Sequence, residues 1–116
     1  TLAQSQVDLD AREEDLRAQR LEVDRTVRTE WINLNNQYQS LQLAQRSFSI
    51  AEEAVRLARE EYRLGTRTFE QVQESVDQGA EAARQVIQAR YGFVDAYLAL
   101  EEAMGRRLPP DMVGND

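Results

Sequence analysis

Residues 60–73 read EEYRLGTRTFEQVQ, and this stretch decides the fold. Helical periodicity runs for dozens of residues on either side of it. Between the two runs stands Leu64-Gly65-Thr66-Arg67-Thr68. Gly65 has no Cβ, so it can take the left-handed conformation that ends a helix. Thr68 is placed to cap a second helix, and Gln71, three residues on, completes a capping box. Residues 65–67 are then the tip. A connection this short makes the two helices antiparallel neighbours.

Working outward, the first helix is expected over residues 2–64, a span without proline or glycine. Leu2, Leu9, Leu16 and Val23 recur at steps of seven. After a four-residue step the series resumes as Val27, Leu34, Leu41, Phe48, Val55 and Tyr62. Trp31, Tyr38, Ala44, Ala51 and Ala58 fill in at offsets of three or four, as a coiled-coil seam requires. The step from Val23 to Val27 reads as a stutter, which unwinds a supercoil locally. At 1.5 Å per residue such a helix is roughly 95 Å long. Leu43, Ile50, Leu57 and Leu64 form a further seven-residue series on the far side of the helix. A helix apolar on two opposed faces sits between two neighbours.

The second helix is expected from Phe69 to about Met104, with Thr68 as cap and Gly105 as its end. Its seam reads Phe69, Val72, Val76, Ala80, Ala83, Ile87, Tyr91, Val94 and Leu98, close to an eleven-residue repeat. A second stripe is Gly79, Val86, Phe93, Tyr97 and Leu100. Gly79 and Gly92 each cost about 1 kcal/mol against Ala inside a helix; they are either tolerated weak spots or points of close approach. Arg106 and Arg107 suit the negative end of the helix, and Pro109-Pro110 opposes its continuation. The tail is 106–116. Folding at residue 66 sets Met104 opposite about Arg28, leaving residues 1–27 uncovered although they carry Leu2, Leu9, Leu16, Leu21 and Val23.

Composition narrows the function. The chain has 116 residues, 30% of them charged and 7% aromatic, which suits long helices better than a deep core. A net charge of −7 opposes nucleic-acid binding. Without cysteine or histidine there is no disulfide, no thiolate site and no usual general base. Carboxylate metal centres in helical bundles use Glu-x-x-His motifs, which are missing. No enzyme, metal or cofactor is expected. No apolar run approaches the roughly 20 residues of a membrane-spanning helix. The chain begins at Thr1 without a leader or initiator Met and reads as a segment of something longer.

AEEAVRLAREEYRLGTRTFEQVQESV (51–76), followed by ARYGFVDAYLALEEAMG (89–105), resembles the second periplasmic hairpin of TolC-type outer-membrane efflux proteins. TVRTEWINLNNQY (26–38) is similar to the long helix entering that hairpin. The most specific element is YxxGTRT, supported by Ala89-Arg90-Tyr91. The resemblance implies an all-α hairpin that forms part of a trimeric helical tunnel in the periplasm, beneath a β-barrel in the outer membrane. It implies a tip of Leu64, Gly65, Thr66, Arg67 and Thr68 that meets a periplasmic adaptor, and through it an inner-membrane pump that selects the substrate. Tyr62 and Arg67 match positions that tie neighbouring tips together. Gln71 and Glu74 match acidic entrance positions, one of them an amide here. Tyr62 can equally continue the Val55 seam, and Arg67 can equally be a solvated turn residue.

From the sequence itself, Glu70, Glu74, Asp77 and Glu81 share one helical face. They are read either as a solvated face or as an acidic stripe facing the tunnel lumen. A self-contained coiled-coil scaffold is the alternative function, and an adaptor hairpin is a third. The apolar stripe of residues 2–27 also predicts self-association of the chain.

Overall fold

A computed structural model describes residues 1–107. Two α-helices account for nearly all of them: α1 over Leu2–Arg63 and α2 over Phe69–Arg107. This is the all-α hairpin expected. Residue contacts divide the chain into two units, Asn35–Asp95 around the turn, and Thr1–Leu34 with Ala96–Asp116.

In the unit around the turn, α1 turns one narrow face inward. Its half-buried or buried positions are Gln37, Leu41, Ala44, Phe48, Ala51, Val55 and Ala58, alternating by four and three, with Ala58 fully buried and Glu61 half-buried beside the turn. Most of these are residues of the expected seam. Trp31 and Tyr38 are not on this face. Trp31 is exposed, and Tyr38 stands at the rim, its ring 6.0 Å from that of Phe93.

The seam of α2 differs from the expected one. Phe69, Ala80, Ile87, Tyr91 and Val94 are exposed. The inward face comprises two rows at steps of seven, Val72, Gly79, Val86 and Phe93 beside Ser75, Ala82 and Ala89, with Val76 and Ala83 at their edge. The inward face therefore draws on both expected stripes: Gly79, Val86, Phe93 and Leu100 of the second are covered while its Tyr97 is exposed, and Val72, Val76 and Ala83 come from the first. Ser and Ala add little hydrophobicity to a sequence pattern, yet small side chains allow helices to approach closely. Gly79 shows this, since a Cβ there would stand 3.4 Å from Val55 Cγ2. Gly92 makes room for a polar group, as a Cβ would lie 2.6 Å from Gln37 Oε1.

In the other unit, residues 1–22 of α1 are exposed throughout, Leu2 at 90% and Leu21 at 62%. Coverage begins at Val23, where Val23, Val27, Glu30 and Leu34 are half-buried and Ala96, Leu100 and Ala103 are buried. Leu98 of the expected seam is exposed. The stutter disappears, because Val23, Val27, Glu30 and Leu34 already alternate by four and three. Polar Glu30 and Gln37 interrupt the apolar row that Val23 belongs to, which made its continuation look like a shift. α2 runs past Gly105 to Arg107, and Gly105 is not left-handed. Pro109-Pro110 and the rest of the tail lie outside the described residues, as do the side chains of Arg106 and Arg107.

Candidate functional site: the hairpin tip

Why the chain turns at 64–68 is visible in its hydrogen bonds. Gly65 has φ 85° and is the described residue with positive φ. Its N–H donates to the Tyr62 carbonyl at 3.0 Å, and the Thr66 N–H donates to the Glu61 carbonyl at 2.9 Å. This paired closure is the Schellman motif, which satisfies carbonyls that a helix end otherwise leaves open. Thr66 Oγ1 adds a bond to the same Glu61 carbonyl at 3.1 Å. On the other side, the Gln71 N–H donates to Thr68 Oγ1 at 3.2 Å, and the Thr68 N–H donates to Gln71 Oε1 at 3.0 Å. The capping box is thus complete, and Gln71 has a structural task at the head of α2.

Side chains then stitch the turn. Arg67 Nε donates to Glu61 Oε2 at 2.7 Å, with both side chains partly buried. Tyr62 meets Phe69 edge to face, ring centroids 6.1 Å apart, and both rings remain half exposed. Tyr62 therefore closes the turn on Phe69 and is not buried in the Val55 seam. Arg67, Gln71 and Glu74 line one open recess of about 390 Å³ together with Glu61, Ser75 and Gln78. Tyr62 does not line it. Glu61 is the residue that the sequence reading missed. Its signal was its place three residues before Leu64 and six before Arg67, on the carbonyl that a glycine-capped helix leaves to be satisfied.

Glu70, Glu74, Asp77 and Glu81 are all exposed, on the face of α2 turned away from its buried rows. They are not equivalent. Asp77 accepts from Gln73 Nε2 at 3.3 Å, and Glu81 pairs with Arg84 at 2.9 Å. Higher on α1, Arg56, Arg59 and Arg63 rim a groove of about 620 Å³ whose floor includes Phe48, Val55, Val76 and Gly79. The Arg56 hydrogen bond to Glu53, 2.6 Å, holds that carboxyl below its ordinary value.

Around the turn the chain is thus an antiparallel helix pair with an inner seam, exposed apolar residues outside it and a hydrogen-bonded glycine tip. The chain belongs to the outer membrane efflux protein family, whose profile matches residues 1–106. That agrees with the resemblance to TolC-type proteins, and it makes the chain part of an efflux channel family and not of an enzyme family. No curated protein and no solved structure matches it. Among the described residues no helix is long and apolar enough to cross a membrane.

Proposed function

We propose that this hairpin is a stave of the periplasmic tunnel of an outer-membrane efflux duct, assembled as a homotrimer. Residues 64–68 form its entrance and dock the periplasmic adaptor of a tripartite pump. The observation that carries this reading is the apolar surface left uncovered on each helix after the hairpin closes. On α1 it holds Leu43, Ile50 and Leu57, exposed by 65%, 71% and 45%. On α2 it holds Ile87, Tyr91 and Val94, all at least half exposed. Fully burying an exposed side chain of this kind is worth about 1.5–3 kcal/mol, and these keep roughly half or more of their surface to bury, so a row of them drives the hairpin toward a lateral neighbour. A self-contained scaffold hairpin would place polar residues there.

The test replaces Leu43, Ile50 and Leu57 with Gln in the outer-membrane channel that carries this hairpin. Gln is a good helix former, so helicity of the chain should persist while cross-linked trimer in outer membranes falls sharply. Undiminished trimer would overturn the reading.

A further inference from the structure

At the tip, one residue of α1 organises both residues that follow Gly65. The Glu61 carbonyl accepts the N–H and the Oγ1–H of Thr66, at 2.9 and 3.1 Å. Its carboxylate accepts Arg67 Nε–H at 2.7 Å. The pairs Arg17–Glu14, Arg56–Glu53, Arg63–Glu60 and Arg84–Glu81 join residues three apart along one helix. Arg67–Glu61 instead spans the turn, and its side chains are only 34% and 42% exposed. The arginine is therefore returned to its own α1 and does not project freely from the loop.

We infer that Glu61 is the positioning residue of Arg67, holding the tip cation on its own hairpin in competition with carboxylates of adjoining chains. A guanidinium offers its donors as a planar fork, and carboxylates bind it best through two parallel N–H bonds. With Nε–H given to Glu61, the side-on pair of donors is no longer whole. A neighbouring carboxylate has to use the remaining end of the fork or displace Glu61. The consequence for the entrance rests on the tip reading proposed above and on the tie between neighbouring tips that the resemblance implies for Arg67: Glu61 weakens that tie, so the entrance stays easier to open.

Two measurements test this. In the ¹⁵N-labelled 116-residue chain, Arg67 Nε–H should exchange slowly with solvent. Glu61→Gln, which keeps an acceptor but removes the charge, should speed that exchange about two- to five-fold, the scale of a partly exposed ion pair. Helicity should not change. In the assembled channel, reconstituted in planar bilayers, Arg67→Ala should raise resting conductance. Glu61→Gln should lower it by a similar two- to five-fold factor, and should have no effect in the Arg67→Ala background. A turn merely damaged by the substitution would instead leak, as Arg67→Ala does. If Arg67 Nε–H exchanges equally fast with and without Glu61, or if Glu61→Gln raises conductance, the inference is overturned. If the exchange effect is present but Arg67→Ala leaves conductance unchanged, the positioning role stands and the entrance reading falls.

Discussion

Gly65 and Thr68 stabilise the same turn by different means, and substitution separates them. At Gly65 the space is open, since a Cβ would meet nothing within 4 Å. The penalty for Ala there is conformational alone, about 1–2 kcal/mol for the left-handed region. Thr68→Ala should cost about 1 kcal/mol by removing one half of the capping box, while Gln71 Oε1 keeps its bond to the Thr68 N–H. Thermal melts followed by circular dichroism check both, and a Gly65→Ala protein as stable as the parent would contradict the left-handed turn. In the assembled channel, Gly65→Trp reshapes the tip without touching the seam. Efflux should fall while trimer still reaches the membrane, and normal drug resistance would remove the tip as the adaptor contact.

At the scale of the helix, the two interior glycines should respond unequally to Ala. The methyl of Gly79→Ala would make an ordinary contact with Val55 and would remove a helix penalty, so stability should rise by up to about 1 kcal/mol. The methyl of Gly92→Ala would displace the Gln37 amide and should give less or nothing. A loss on Gly79→Ala would show that the inner rows already stand at their closest approach. This pair also shows how much was legible. Heptads of large apolar residues found the face of α1 from Leu41 to Val55, and Gly, Thr and Gln found the turn and both its caps. The inner face of α2 was split between the two expected stripes, Val72, Val76 and Ala83 in one and Gly79, Val86 and Phe93 in the other, because Ser75, Ala82 and Ala89 beside them are too small to register as hydrophobic. Ile87, Tyr91 and Val94 registered strongly and are on the outside, where a single chain has nothing to cover them. Gln37 and Glu30 hid the continuity of α1 for the converse reason, being polar residues on an inner face. At the tip, Arg67 was legible as a tip residue, whereas its partner Glu61 was marked only by its position before the glycine cap, because side-chain contacts across a turn follow no periodicity.

For the whole assembly, the acids of α2 make the prediction with the widest reach. Glu70, Glu74, Asp77 and Glu81 face away from the inner rows; we propose that they line the lumen, where repetition by symmetry would give a negative vestibule. Replacing the three glutamates by Gln and Asp77 by Asn should lower cation selectivity in single-channel recordings and weaken divalent block. Most of the change should come from Glu70 and Glu74, because Glu81 already shares its charge with Arg84. Unchanged selectivity would make the stripe a solvated outer surface. The turn also sets an order of events in time. Partners lie six and seven residues apart at Glu61–Arg67 and Tyr62–Phe69, then 24 at Val55–Gly79, then 55 at Gln37–Gly92 and Tyr38–Phe93. Closing the last of these directly from an open chain carries the full entropy of a long loop, whereas each contact made in order lengthens an existing loop only slightly. The helices should therefore zip from Gly65 outward, so that changes at the tip slow folding and changes at Gly92 mainly hasten unfolding.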